Sequence, residues 1–259
     1  MQGAVEVSCQ VLKGTNKAGV LRKNEKGYYD MIVGALNMVN NKGEYYDAAY
    51  GRKFFDENSD LVRMAEKGIL RGEEGHPKQG MMDDEKFVER LLTVEEKSAC
   101  CHHRKLWLDF DNFRDATGRP FIGIMSSVGP SGYYGEALER DLENPEIDVN
   151  FSIRCFSMPR RQGGRIVKEM KHAVTFDHVS EPGILQATKY HTPSLEDYST
   201  KLFTQGRVMQ AARNIRKAPG SNESSRMGME TLLGAIGWEV RDTPQAKRNF
   251  MELLNTTKL

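Results

Sequence analysis

Three stretches of this chain alternate apolar and polar side chains with a period of two, and no other feature limits its fold as much. Over residues 4–12, Val5, Val7, Cys9 and Val11 alternate with Glu6, Ser8 and Gln10. Over residues 149–155, Val149, Phe151, Ile153 and Cys155 alternate with Asn150, Ser152 and Arg154. Over residues 172–179, Val174 and Phe176 fall on the face opposite Asp177. Side chains along a strand point alternately to the two faces of its sheet, so each stretch reads as a half-buried strand. A predominantly β core follows.

Further strands are expected over 31–39 and 45–55, joined as a hairpin by the Asn40-Asn41-Lys42-Gly43 turn, and over 105–110 and 121–128. Helices are expected over 59–67, with Ser59 as N-cap, over 83–92 with acids in its first turn, and after Gly132 to about Leu142. Beyond about Thr192 the pattern turns helical: 194–216, a Pro219-Gly220-Ser221-Asn222 linker, then short amphipathic helices over 228–236 and 243–254. The division expected is a β-rich domain over 1–190 and a helical C-terminal extension over 191–259, with no internal repeat.

At 259 residues the chain has material for a sizeable core. Its 37 basic and 36 acidic residues leave a net charge of +1, so no global field draws it to nucleic acid or an anionic membrane. No apolar run approaches the roughly 20 residues that cross a bilayer, and no signal-peptide layout opens the chain, so a soluble protein acting where it is made is expected. The four cysteines, Cys9, Cys100, Cys101 and Cys155, lack the spacing of a disulfide framework, which fits a reducing cytoplasm. No metal is expected: the side chains of Cys100-Cys101-His102-His103 cannot all converge on one tetrahedral ion, and Asp109 and Asp111 read as a solvated strand edge. Gly129-x-x-Gly132-x-x-Gly135 lacks the ending of a phosphate loop and reads as a turn into a helix. No cofactor is implied.

The segments Gly72-Glu73-Glu74-Gly75-His76-Pro77, Asn150-Phe151-Ser152-Ile153-Arg154 and Thr175-Phe176-Asp177 supply a base, a nucleophile and an orienting acid. A serine hydroxyl needs an imidazole to take its proton, and that imidazole needs a partner that fixes its tautomer. Pro77 stiffens the loop of His76. Ser152 and Arg154 share the polar face of their strand, where a cation could hold an oxyanion or a substrate carboxylate. Glu73 and Glu74 read either as groups that raise the proton affinity of His76 or as solvated loop acids. Chemistry alone leaves these residues one trio among several, with Ser157 as a second nucleophile and a purely structural role for Asp177 still open.

The same segments resemble, in the same order, the Gly-Glu-x-x-His-Pro, Ser-x-Arg and Asp-x-Val-x-x-Pro elements of tailed-bacteriophage prohead (capsid maturation) proteases, the last as Asp177-His178-Val179-Ser180-Glu181-Pro182. The resemblance implies an α+β fold with a mainly antiparallel, barrel-like β core similar to herpesvirus assemblins, surrounding helices and a helical C-terminal appendage. It implies a serine endopeptidase with Ser152 as nucleophile, His76 as base, Asp177 as third member, and Arg154 or nearby amides at the oxyanion. Assemblins use a second histidine as third member, so His172 and His178 stay as alternatives. The implied substrates are phage scaffold or core proteins, the major capsid protein and the chain itself, cut inside the assembling prohead in the host cytoplasm. Virion retention and a homo-oligomer are left open. Cleavage after glutamate in a Ser-x-Glu pattern would place autocleavage at Glu196 or Glu223. The rivals are a non-catalytic prohead scaffold component and a metal-dependent hydrolase.

Overall fold

The alternating segments pair into two sheets in a computed structural model of the chain, which describes residues 4–13, 23–40, 43–115, 117–180, 201–217 and 223–238. The strands are β1 (Ala4–Lys13), β2 (Tyr29–Leu36), β3 (Met38–Val39), β4 (Glu44–Tyr46), β5 (Arg71–Glu73), β6 (Ala99–Asp109), β7 (Ile122–Pro130), β8 (Asn150–Gln162), β9 (Arg165–Val179) and β10 (Lys201–Thr204). The helices are α1 (Ala48–Gly51), α2 (Asp60–Glu66), α3 (Asp84–Leu92), α4 (Gly135–Glu143), α5 (Gln205–Lys217) and α6 (Glu223–Ile236). One sheet runs β10-β1-β8-β9-β4-β3 and the other β2-β7-β6-β5. All pairings within them are antiparallel except β4 on β9. The α+β class and its antiparallel sheets are as expected, but among the described residues both sheets are open and no closed barrel forms.

Both faces of the larger sheet are covered. Phe151, Ile153 and Phe176 pack one face onto Met31, Val33, Leu106 and Ile124 of the smaller sheet. Phe156, Val174 and Phe203 join a second cluster with Phe87, Val88, Leu91 and Leu92 of α3, Val208, Ala211, Ala212 and Ile215 of α5, and Met229, Leu232 and Leu233 of α6. Residues 208, 211, 212 and 215 sit at the three- and four-residue spacing that gives a helix one apolar stripe. This second layer corrects the expectation of a polar, solvated face on β8. Asn150, Ser152 and Arg154 are each at most 1% exposed, and the helical layer of α3, α5 and α6 packs on the sheet through Phe156, Val174 and Phe203.

Residues beyond 190 thus supply α5 and α6, in line with helical character, and also an edge strand: β10 pairs with β1, Phe203 opposite Val5. The helix expected over 243–254 lies outside the described residues.

Several boundaries differ for local reasons. The strand expected over 31–39 breaks at Asn37, whose φ of 59° turns β2 in one sheet into β3 in the other. The strand expected over 45–55 ends at Tyr46, because Asp47 caps α1 by accepting from Ala49 N, and a 3-10 turn follows over Arg52–Phe55. β8 and β9 form one long hairpin closed by Gly163 and Gly164, with φ of 56° and 79°. Two consecutive positive φ values match the twist of flanking strands in a two-residue hairpin. As expected, Ser59 caps α2 by accepting from Val62 N. Asp83 caps α3 by accepting from Lys86 N. Among the described residues no helix is long and apolar enough to cross a membrane.

Candidate active site

The site lies where the end of β5 leaves the small sheet and runs beside β9 of the large one. Gly72 lets the two backbones meet: a Cβ there would sit 2.0 Å from the carbonyl oxygen of Phe176. Glu74 N donates to Ser98 O at 2.8 Å, and Gly75 N, in a residue with φ of 74°, donates to His178 O at 2.7 Å. The segment after β5 is therefore pinned on both sides, and Pro77 stiffens the exit. His76 is held over β9 as a result.

There its Nδ1 lies 2.9 Å from Asp177 Oδ2. Asp177 is fully buried and accepts three further hydrogen bonds. Glu73 N donates to Oδ1 at 3.0 Å, Arg154 Nη2 donates to Oδ1 at 2.7 Å, and Arg154 Nε donates to Oδ2 at 2.8 Å. Burial by itself would raise the proton affinity of this carboxyl. The Arg154 charge and the His76 hydrogen bond outweigh it and hold Asp177 well below the usual carboxylate range.

Ser152 is the cross-strand neighbour of Asp177 in the β8–β9 ladder. Directly opposed residues project on the same face with Cβ atoms about 5 Å apart. Ser152 is fully buried, and its Oγ has no hydrogen-bond partner among the described residues. Ser157, the second serine weighed, is also fully buried but lies past two bulges in the ladder, opposite Met170.

Arg154 meets carboxylates of its own chain. Besides Asp177, its Nη2 lies 3.2 Å from Glu73 Oε2, and its Nη1 donates to Thr93 O at 2.7 Å. Glu73 is 1% exposed and takes a two-pronged contact from Arg90 of α3 at 3.0 and 2.6 Å. The solvated-acid alternative therefore fails for Glu73. Its sequence neighbour Glu74 bonds His178 Nδ1 at 2.6 Å.

Of the alternative histidines, His178 is engaged by Glu74, and His172 lies five residues before Asp177 in the strand, with its ring 6.3 Å from that of Phe156. Burial pushes the His172 imidazole down to about 4. It borders a cavity of about 440 Å³ between α2, β9 and α6 that contains none of His76, Ser152 and Asp177.

The Cys100–His103 run lies within β6, where His103 contacts Ser126 Oγ at 2.9 Å, the Phe176 carbonyl at 3.0 Å and Cys101 Sγ at 3.4 Å. It ties the two sheets together beneath Asp177. No group of side chains with metal-binding potential occurs among the described residues. Asp109 is taken up by Asn112, through both its backbone and its side-chain nitrogen. Gly132 has φ of 83° and turns the chain toward α4, as a turn and helix entry should. Glu223 is the first residue of α6, and Glu196 lies outside the described residues.

Arg90 is the site residue that sequence reasoning did not single out. It sits among the apolar positions of an amphipathic helix, and nothing in its local pattern distinguishes it from a surface arginine.

An imidazole bonded to a buried carboxylate, with a serine as the next residue across the ladder, is equipment of the kind hydrolases use to activate a hydroxyl. The sequence model of the Peptidase S80 family matches residues 7–235, from β1 into α6. The chain belongs to that family and is a protease. The capsid maturation protease of Pseudomonas phage phiKZ is 28% identical over 256 residues, covering 95% of this chain and 93% of that protein. Among solved structures, the capsid assembly protease of bacteriophage T4 is similar at a TM-score of 0.45 and 15% identity, over 68% of this chain and 98% of that one. The resemblance to phage prohead proteases, first carried by three short motifs, is borne out.

Proposed function

We propose that this chain is a serine endopeptidase that matures phage proheads, with Ser152 as nucleophile, His76 as general base and Asp177 as the group that orients His76. The observation that carries the reading is the 2.9 Å contact between His76 Nδ1 and Asp177 Oδ2, with Ser152 the cross-strand neighbour of that aspartate. An ionised acceptor at Nδ1 favours the tautomer that carries its proton there and leaves Nε2 to accept the serine proton. The imidazolium formed next is stabilised by the same carboxylate. Proton return from Nε2 to the leaving amine frees the first product, and water then hydrolyses the acyl-enzyme by the same route. Because Ser152 is fully buried, substrate reaches it only after the structure around it opens.

Arg154 serves the reaction through Asp177, since its donors are turned to that carboxylate, to Glu73 and to Thr93. The oxyanion then falls to nearby backbone amides. By likeness to the capsid maturation protease of phage phiKZ, the chain acts on capsid protein in the assembling prohead in the host cytoplasm; cleavage of scaffold or core proteins, and a cut after glutamate, follow from the motif resemblance to phage prohead proteases. Self-trimming after Glu196 or Glu223 belongs to the same reading.

Replacing Ser152 with Ala tests it. Proteolysis of a denatured scaffold or capsid protein should fall to background. The fold should be kept or stabilised by about 1 kcal/mol, since a buried hydroxyl without a partner is lost. A folded Ser152→Ala protein that still cleaves, or loss confined to Ser157→Ala, overturns the assignment.

A further inference from the structure

Charged side chains of alternating sign run from α3 inward to His76. Arg90 donates to both oxygens of Glu73, Glu73 Oε2 lies 3.2 Å from Arg154 Nη2, Arg154 donates to both oxygens of Asp177, and Asp177 Oδ2 faces His76 Nδ1. Glu73, Arg154 and Asp177 are at most 1% exposed and Arg90 is 13% exposed. Two cations and two anions sum to zero. Burying four charges costs more desolvation than an apolar filling of the same space, so fold stability alone gives little reason for such a chain.

Glu73 also accepts Glu95 N at 2.6 Å, which fixes its carboxylate from a third side. Around the chain stand Glu95, 3.4 Å from Arg90, the Glu74–His178 pair, and Cys100, Cys101 and His103 of β6. None of these lies between Arg90 and Asp177 in the hydrogen-bonded sequence.

We propose that Glu73 and Arg90 are positioning residues of the protease: they fix the Arg154 guanidinium against Asp177 and set the net charge that faces His76. The proposal rests on the assignment of His76, Ser152 and Asp177. Without Arg90, Glu73 leaves one uncompensated negative charge, which favours the imidazolium and raises the pH at which His76 becomes a base. Without Glu73, two arginines face one aspartate, which disfavours the imidazolium and lowers that pH. A structural pair would give two losses of the same sign, whereas a charge-setting pair gives shifts of opposite sign.

The experiment uses the full chain and the rate at which a fluorophosphonate reporter labels Ser152 as a function of pH. In that reaction the serine oxygen bonds to phosphorus, fluoride leaves, and the serine proton passes to His76. The acid limb should move down by about one pH unit in Glu73→Gln and up by about one unit in Arg90→Gln, and should return close to the parent in the double variant. Arg90→Lys keeps the charge and loses the two-pronged geometry, so its limb should stay in place while its rate falls about tenfold.

Limbs that do not move in either glutamine variant overturn the proposal, as does an Arg90→Lys rate equal to the parent. Should Glu73→Gln fail to fold, the comparison of Arg90→Gln with Arg90→Lys decides alone. Labelling that persists in Ser152→Ala or is indifferent to His76→Ala refutes the function assignment instead, so the two failures are distinct.

Discussion

Replacing Asp177 with Asn keeps the shape of the side chain and removes the one charge on which the site converges. The aspartate accepts from Glu73 N, from Arg154 Nη2 and Nε, and faces His76 Nδ1. An asparagine oxygen placed at Oδ1 keeps the first two partners, but its amide then faces Arg154 Nε–H and His76 Nδ1 with a donor in place of an acceptor. Arg154, fully buried, loses the carboxylate it contacts most closely and keeps Glu73 at 3.2 Å. Breaking one partner of a buried pair costs about 3–5 kcal/mol. The surviving contacts with Glu73 and Thr93 put the expected loss at the lower end, about 3 kcal/mol. In a chain of this size that is a fall in Tm on the order of 10 °C, measured in a Ser152→Ala background so that self-cleavage does not intervene.

The same change reverses the tautomer of His76. An amide donor at Nδ1 leaves the proton on Nε2, so the imidazole cannot accept from Ser152. In Ser-His-Asp enzymes this costs about 10⁴-fold in kcat. Hydrolysis of a denatured scaffold protein, followed at a temperature where thermal unfolding shows the variant to be native, separates this effect from the stability loss. A variant destabilised by less than about 1 kcal/mol that keeps more than a tenth of the activity would refute both the buried pairing and the proposed role.

Gly72→Ala places a methyl 2.0 Å from the Phe176 carbonyl and should destabilise the chain by more than about 3 kcal/mol, whereas Gly75→Ala, with φ of 74° and no atom within 4 Å of the new Cβ, should cost only about 1 kcal/mol; thermal melts compare them. Acid should weaken the fold in two stages. His172, lowered in the fold to about 4 against about 6.5 unfolded, takes up a proton only in the unfolded chain between those values, so roughly 3 kcal/mol is lost as pH falls from 6.5 to 4. Asp177, held below its unfolded value of about 3.9, adds stability that is present above that value and lost as pH falls further. Denaturant titrations at several pH values should show the first stage abolished in His172→Gln and the second in Asp177→Asn. Self-cleavage after Glu223 would cut at the first residue of α6 and release Met229, Leu232 and Leu233 from the second core, so fragments ending at Glu223 should melt well below the intact chain; intact-mass analysis with parallel melts would show fragments that melt like the parent if this is wrong.

Local sequence determined the strands and the chemistry-bearing segments. Period-two alternation located β1 and the hydrophobic half of β8, the cap Ser59 located α2, the first-turn acids located α3, and the Gly72–Pro77, Ser152–Arg154 and Asp177 elements located the candidate site. These signals are short-range: a period, a cap and a turn are written in neighbouring residues.

What required the tertiary structure was which surfaces are covered and which charges meet. The face of β8 carrying Ser152 and Arg154 reads as polar, and so as solvated, yet both are fully buried, with Asp177, Glu73 and Thr93 brought to Arg154 from distant parts of the chain. Arg154 then turns to Asp177 because a buried guanidinium must be paired. Arg90 becomes part of the site solely because α3 lands beside β5, and the two glycines of the β8–β9 hairpin join strands whose far ends carry too many polar residues to show a period. Alternation reports which residues share a face, but the partner of that face is fixed by contacts between residues far apart in sequence, and those contacts leave no local pattern.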